Sequence, residues 1–166
     1  MVIDLKPLFS GRVDNVPIDC TLDLSGVDYQ GSLPFGGEVR VHGTVRCLGE
    51  AFMLTADVSF CHYGDCARCL AHFEHPGSIS IRMPLSQGGE VCDNDDGETV
   101  YTPDSRLDVD ELVTAELLLS LPAKTLCTPD CRGLCPYCGR NLNEGLCGCR
   151  ADKTDPRLAA LKELLD

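Results

Sequence analysis

Six of the twelve cysteines lie within 23 residues and have the spacing of metal ligands. The segment 135–139, CPYCG, has the form of a zinc knuckle. In such a knuckle two thiolates contact one ion, and the glycine permits the tight turn behind the second ligand. Two further thiolates must complete the tetrahedron. A zinc ion closed by four thiolates has no open coordination position, so the predicted site is structural.

Two pairs of cysteines could complete this site. Cys147 and Cys149 follow an eight-residue excursion, GRNLNEGL, whose Asn and Gly residues favour a turn back toward the knuckle. Cys127 and Cys131 form the upstream alternative. The sequence does not decide between them. We favour the downstream pair because it makes a short ribbon, and the predicted zinc ligands are Cys135, Cys138, Cys147 and Cys149.

A second CxxC lies at residues 66–70, CARCL. It could be half a metal site or a redox pair, but no βαβ pattern accompanies it, which argues against thioredoxin-like exchange. We interpret Cys66 and Cys69 as structural thiols at a strand end, with a second ion as the alternative. The four histidines are interpreted as surface residues, and Cys20 and Cys47 as small core residues.

The length and composition limit the protein class. A chain of 166 residues can bury roughly 70% of its unfolded surface, so it need not depend on disulfides to fold. The segment MVIDLKPLF lacks a basic region followed by an unbroken apolar stretch, so we expect no secretory signal. No run approaches the roughly 20 apolar residues that span a bilayer. We therefore expect a cytoplasmic protein that uses its thiols for metal binding and does not enter a membrane.

The net charge of −12 is unevenly distributed. Residues 90–116 contain ten acidic residues and one basic residue, whereas residues 117–166 contain six acidic and seven basic residues. Nucleic-acid binding depends on Lys and Arg, so any direct RNA contact would use the C-terminal third. A solvated surface is the simpler interpretation of those basic residues.

Alternating apolar residues predict strands between residues 17 and 84. The clearest run is 52–60, in which Phe52, Leu54, Ala56, Val58 and Phe60 alternate with polar or smaller residues. The predicted class is α+β, with an antiparallel sheet or partly closed barrel, one or two packing helices and a C-terminal segment resembling a zinc ribbon.

Residues 86–105 predict an exposed acidic loop with a short strand at 99–102. A helix over 108–120 should begin at Asp108, which with Glu111 resembles a capping box, and should end before Pro122. The residues expected to face the sheet are Val109, Leu112, Val113, Leu117 and Leu119. The organisation is thus a β-rich domain at 1–122, a cysteine-rich zinc segment at 123–150 and a helix at 155–165 opened by Asp155 and Pro156.

The sequence contains few signs of an enzyme. It has no Gly-rich phosphate loop, nucleophile elbow or HExxH motif, and all four histidines precede the best metal motif. We expect a protein without catalytic activity.

Several motifs together resemble one bacterial family. They are CARCL (66–70), DVDELVTAELLLSLP (108–122), LCTPDCRGLCPYCGRNLN (126–143), CGC (147–149) and DPRLAALKELL (155–165). In this order they resemble the YceD family, the large-ribosomal-RNA-subunit accumulation proteins. The resemblance implies a non-enzymatic cytoplasmic factor in ribosome biogenesis that supports accumulation of large-subunit ribosomal RNA.

Two mechanisms are consistent with this resemblance and the residues. The first is an adaptor whose acidic stretch engages a ribosomal protein or an assembling large-subunit particle. The second is a redox-regulated chaperone or sensor, in which oxidation of a zinc-thiolate centre releases the metal and unfolds a lobe. The sequence predicts neither the direct partner nor the oligomeric state.

Overall fold

The computed structural model describes residues 1–49, 51–88 and 99–149. In the described ranges, strands contain far more residues than helices do, as predicted for the α+β class. The elements in chain order are β1 (Val2–Asp4), α1 (Lys6–Phe9), β2 (Asn15–Asp23), β3 (Glu38–Leu48), β4 (Ala51–Asp65), β5 (His72–Gln87), β6 (Val100–Thr102), a 3-10 turn (Pro103–Ser105), β7 (Arg106–Asp108) and α2 (Val109–Ser120).

Five strands form one sheet in the order β2-β3-β4-β5-β6. Neighbouring strands are antiparallel from β2 to β5, whereas β6 pairs with β5 in parallel. Strands β1 and β7 form a separate antiparallel pair. Because β2 and β6 are the edges of the five-stranded sheet, the described part of the chain is an open mixed sheet rather than a barrel.

One face of the sheet forms the main core. In β4 the side chains of Leu54, Ala56 and Val58 are buried, while the intervening Thr55 and Asp57 are exposed. This alternation follows from the two-residue period of a strand. Strand β3 pairs closely with β4 at Gly43, where a Cβ atom would lie 2.5 Å from the Thr55 carbonyl oxygen. Only glycine, which has no Cβ atom, fits at this position.

Helix α2 begins as its capping residues predict. The Asp108 carboxylate accepts hydrogen bonds from the backbone N–H groups of Asp110, at 3.0 Å, and Glu111, at 3.4 Å. Val109, Val113 and Leu117 are buried, and Leu112 packs partly against the same core. The expectation that Leu119 faces the sheet is wrong, since this side chain is 80% exposed. The buried residues are spaced four apart and therefore share one face of the helix. Leu119 lies two residues beyond Leu117 and so points to another face.

The predicted acidic loop is shorter than the range 86–105. Ser86 and Gln87 end β5, and Val100–Thr102 forms β6 at the position of the predicted short strand. The buried Thr102 hydroxyl donates to the Ser86 carbonyl at 2.8 Å, and this hydrogen bond links β6 to β5. Residues 89–98 and the predicted helix 155–165 lie outside the described residues. None of the helices in the described ranges has the length and apolar character needed to cross a membrane.

Candidate metal centres

Eight cysteines form two separate groups of four, each of which could hold a metal ion. The first, called here the ribbon group, contains the favoured zinc ligands Cys135, Cys138, Cys147 and Cys149. The second, called here the buried group, contains Cys66, Cys69, Cys127 and Cys131. Within each group all sulfur atoms lie within 4.8 Å of one another. The structure thus brings both predicted pairs of the ribbon together and places the upstream alternative pair elsewhere.

The ribbon group is built around the turn that follows Cys135. The Gly139 N–H donates to the Cys135 carbonyl at 2.9 Å, and Gly139 has a φ of +71°, which glycine adopts without steric cost. The Cys135 N–H donates in turn to the Arg140 carbonyl at 2.8 Å. These bonds close a tight knuckle that presents both of its thiols on one side.

The excursion 139–146 returns the chain to this knuckle. A bridge between Leu134 and Asn141 and a bond from the Leu142 N–H to the Gly133 carbonyl at 2.9 Å hold its first half. Cys147 is half-buried, while Cys138 and Cys149 are exposed. The ribbon group therefore has half of its thiols in contact with solvent.

The buried group joins the β4–β5 hairpin to the segment that follows α2. Cys66 and Cys69 lie in the turn between the two strands, and the Ala67 N–H donates to the Thr125 carbonyl at 2.9 Å. Cys66, Cys69 and Cys131 are almost fully buried and form a small core with Phe73. The sulfur–sulfur distances are 3.6 Å for Cys66–Cys131 and 3.5 Å for Cys69–Cys127. All four are free thiols.

Arg68 connects the β4–β5 hairpin turn to the segment after α2 through two hydrogen bonds. Its guanidinium donates to the Cys131 carbonyl at 2.7 Å, and its own carbonyl accepts from the Leu134 N–H at 3.2 Å. Gly133 packs directly against this contact with a φ of +74°, and a Cβ there would lie 3.0 Å from the Arg68 carbonyl oxygen. A side chain at residue 133 would therefore separate the hairpin turn from the C-terminal segment.

Asn143 connects the two groups. It belongs to the excursion of the ribbon, yet its side-chain N–H donates to the Cys131 sulfur at 3.3 Å. Its side-chain oxygen accepts from the Arg132 N–H at 2.8 Å. The fold of the ribbon therefore places a hydrogen-bond donor against a thiol of the buried group.

Both groups contain thiols with a lowered pKa: Cys66 and Cys131 in the buried group, and Cys135 in the ribbon group. Burial opposes ionisation of Cys66, but backbone N–H groups around its sulfur, first among them that of Cys127, outweigh this effect and lower its pKa to about 6. Backbone N–H groups of Cys138 and Tyr137 likewise lower the pKa of Cys135 to about 6. Hydrogen bonding to the Cys138 thiol raises the pKa of Cys149 to about 12. A thiolate beside thiols that retain their protons is a site where a divalent cation can displace those protons.

The remaining residues singled out by the sequence lie outside both groups. Cys20 and Cys47 are half-buried and pack against the main core, and Cys92 lies outside the described residues. His42, His72 and His75 are exposed, as interpreted from the sequence, whereas His62 is half-buried with its ring 5.3 Å from that of Phe73. Burial of His62 lowers its pKa.

The sequence predicts Cys66 and Cys69 as structural thiols at a strand end, with half of a second metal site as the alternative, and names no partners for them. In the structure they lie with two thiols about sixty residues later, at separations of 65 and 58 positions. A pairing of CxxC with CxxxC was visible in the sequence, since both cysteine pairs have ligand spacing. The identity of the bound ion and the complete ligand sets stay predictions.

An open α+β sheet whose hairpin turn and C-terminal segment carry two four-cysteine groups defines a class of small proteins with candidate thiolate metal centres. Within that class this chain belongs to the YceD family, described as large ribosomal RNA subunit accumulation protein YceD, which matches residues 54–165. The matched range includes all eight cysteines of the two groups.

The chain is also similar to curated proteins of two bacterial genera. It is 32% identical over 127 residues to the uncharacterized protein Rv2926c of Mycobacterium tuberculosis, a match that covers 73% of this chain and 59% of that protein. It is 28% identical over 135 residues to the uncharacterized protein YlbN of Bacillus subtilis, covering 77% of this chain and 78% of YlbN. The chain thus spans about three-fifths of the length of its mycobacterial relative. No solved structure matches it.

Proposed function

We propose that this protein is a non-enzymatic, cytoplasmic ribosome-biogenesis factor that supports accumulation of large-subunit ribosomal RNA. The observation that carries this proposal is the family match over residues 54–165, whose description names that role. The candidate metal centres are consistent with a protein that binds rather than catalyses. An ion closed by four thiolates has no free position for a substrate or a reactive water.

The ribbon group is proposed to bind one zinc ion through Cys135, Cys138, Cys147 and Cys149. Four sulfur atoms within 4.8 Å of one another suit the tetrahedral thiolate coordination that Zn²⁺ adopts in structural sites. The ion would hold the excursion 139–146 against the knuckle. Since four thiolates give Zn²⁺ a formal charge of −2, nearby cationic residues such as Arg132 and Arg140 would offset that charge.

The protein is further proposed to act as an adaptor for a basic ribosomal protein or a large-subunit precursor particle. At the start of α2 the acidic side chains of Asp104, Asp108, Asp110 and Glu111 are exposed. Two basic groups lie among them, Arg106 and the N-terminal ammonium of Met1, which pairs with Asp108 and Asp110. Of these residues, Asp108, Glu111 and Arg106 line a surface cavity of about 280 Å³, together with residues that include Val100, Tyr101 and Leu112. An acidic surface with an apolar cavity beside it complements a basic, partly apolar protein segment better than it complements RNA phosphates.

Affinity capture at low salt tests the adaptor proposal. The tagged protein should recover large-subunit ribosomal proteins or precursor particles from cells with active ribosome assembly. A variant with Asp104→Asn and Glu111→Gln should recover less, because it weakens the acidic surface without changing side-chain size and leaves the ion pair between the Met1 ammonium and Asp110 intact. The matched control, Asp14→Asn with Glu38→Gln, removes the same charge from exposed sites on the sheet side and should recover as much as the wild type.

Two results would contradict the adaptor. One is the absence of large-subunit components from every capture. The other is an equal reduction in both variants, which would indicate a general effect of net charge. Recovery that survives ribonuclease treatment would identify a protein partner, whereas loss on that treatment would identify RNA as the direct contact.

The exposure of Cys138 and Cys149 favours one second candidate, a redox-regulated zinc-thiolate chaperone or sensor. Accessible thiolates are oxidised before buried ones, and oxidation of a ligand releases its metal. Treatment with peroxide should then release zinc and increase binding to an unfolded client protein. Zinc release without a gain in client binding would leave the adaptor as the proposed function.

A further inference from the structure

We propose that the buried group is a second zinc site, in which Cys66, Cys69, Cys127 and Cys131 join the β4–β5 hairpin to the segment after α2. The first argument is the distance between sulfur atoms. With zinc–sulfur bonds of about 2.3 Å, the edge of a regular ZnS₄ tetrahedron is about 3.8 Å. The observed distances of 3.5 Å for Cys69–Cys127 and 3.6 Å for Cys66–Cys131 are close to that edge and far longer than a disulfide bond.

The backbone of the turn supplies a second, independent argument. The Leu70 N–H donates to the Cys66 carbonyl at 2.9 Å, as the Gly139 N–H donates to the Cys135 carbonyl at 2.9 Å in the ribbon. Leu70 has a φ of +59°, in the same left-handed region as Gly139 at +71°. The CARCL turn is therefore the same knuckle as the CPYCG turn, with a leucine where the ribbon has glycine.

This leucine indicates that the surrounding contacts impose the turn. A left-handed conformation is strained for a non-glycine residue and persists only where other interactions require it. Leu70 is also 69% exposed, so its side chain gains little by burial. Coordination of Cys66 and Cys69 to a common ion would fix the turn in this shape and offset that strain.

The surroundings of the sulfur atoms are those of thiolate ligands. The Arg68 N–H lies 3.5 Å from the Cys66 sulfur, and the Asn143 side-chain N–H lies 3.3 Å from the Cys131 sulfur. Donors of this kind stabilise the charged form of a thiol and orient it. One donor belongs to the hairpin turn and the other to the ribbon excursion, so the ligands on both segments would be oriented by hydrogen bonds.

The zinc content of the protein tests this inference directly. Protein purified without added metal should contain two zinc ions per chain. Cys66→Ser and Cys135→Ser should each contain one, and the double variant should contain none. Cys61→Ser is the matched control, since Cys61 lies five residues before Cys66, outside both groups, and its thiol contacts Glu74 instead. This variant should retain both ions.

Native mass spectrometry of the wild type makes the test independent of whether a variant folds. A mass with two zinc ions, and full alkylation of the thiols only after chelation and unfolding, would support the second site. A single zinc ion that is lost in Cys135→Ser and retained in Cys66→Ser would overturn it. One zinc ion together with a disulfide that peptide mapping locates between cysteines of the buried group would also overturn it. The inference concerns metal binding alone, so it can fail while the ribosomal role holds.

Discussion

The two cysteine groups use the same knuckle in opposite settings. The ribbon group lies within fifteen consecutive residues, 135–149, and exposes Cys138 and Cys149. The buried group draws its thiols from segments about sixty residues apart and buries Cys66, Cys69 and Cys131. With the proposed ions bound, the ribbon group would order a local excursion of the chain, whereas the buried group would hold the C-terminal segment against the hairpin turn. Identical donor atoms can thus shape a loop or hold a tertiary contact, depending on where the second pair comes from.

Replacement of one ligand in each group should separate these roles most strongly. Cys131→Ser should release the segment around 125–149 from the hairpin turn, while Cys147→Ser should disturb the ribbon and reach the buried group only through the hydrogen bond from Asn143 to the Cys131 sulfur. Zinc contributes about 10–16 kcal/mol in small thiolate peptides, as much as the whole stability of about 5–15 kcal/mol of a typical domain. Hydrogen exchange should therefore show lost protection at both the turn 66–71 and the C-terminal segment in the first variant only.

Equal loss of protection in the two ligand variants would remove the distinction between the groups. Cys47→Ser provides the baseline, since this half-buried thiol packs against the main core outside both groups. It should retain both ions and the wild-type pattern of exchange.

The next largest effect should come from the sheet core. Phe35 is fully buried and packs edge-on against Phe60, with ring centroids 5.8 Å apart. Phe35→Ala should lower the free energy of unfolding by about 3–5 kcal/mol, because it removes a large buried side chain and leaves a cavity. Urea denaturation measures this loss, and the folded variant should retain its zinc content. Leu33→Ala, at a site 56% exposed, should change stability by no more than about 0.5 kcal/mol. A loss of zinc in folded Phe35→Ala would mean that packing of the main core affects metal binding at the cysteine groups.

Asn143 tests how far the two groups depend on each other. Asn143→Ala removes the hydrogen bond to the Cys131 sulfur and should weaken metal binding at the buried group by about 10–100-fold, the usual effect of losing a hydrogen bond to a metal ligand. Competition with a chromophoric chelator measures both affinities in one protein. Asn143→Asp keeps an acceptor for the Arg132 N–H but has no donor for the sulfur, so it should weaken the same site. If only the ribbon group weakens in these variants, the proposed connection is wrong.

The smallest effect should come from the cap of α2. Asp108→Ala removes the acceptor for two backbone N–H groups and should cost about 1 kcal/mol of stability. Asp108→Asn should cost less, because asparagine caps helices about as well as aspartate. Thermal unfolding compares the two variants. Neither should change the zinc content, and a change would show that α2 positions the buried group through the segment that follows it.

The sequence predicted features that depend on neighbouring residues. The start of α2 follows from Asp108 and its position before an apolar stripe, and the strand β4 follows from its alternation. The cysteines of the ribbon group come together as expected because a short excursion with Asn and Gly residues can hardly return anywhere else. The prediction that Leu119 faces the sheet is wrong because the run of leucines makes α2 apolar on several faces. Such a pattern does not define which face is buried.

Features that depend on the whole fold were not predictable in this way. The partners of Cys66 and Cys69 follow from the length of the β4–β5 hairpin and from the path of the chain after α2, and neither is encoded near the CARCL motif. The left-handed conformation of Leu70 could not be predicted either, because leucine rarely adopts it and nothing in the local sequence indicates it. The parallel pairing of β6 with β5 depends on the chain returning to the sheet after residue 88.

The wide separation of the buried thiols also sets an order of events during synthesis of the chain. Cys66 and Cys69 emerge from the ribosome 58–65 residues before their partners, an interval of roughly 3–13 s at about 5–20 residues per second. Through that time the hairpin turn would supply only two of the four ligands of the proposed zinc site. The ribbon thiols, in contrast, emerge within about 3 s of one another at the same rates. Closure of the buried group therefore depends on the arrival of Cys127 and Cys131 at a hairpin turn that was synthesised well before them.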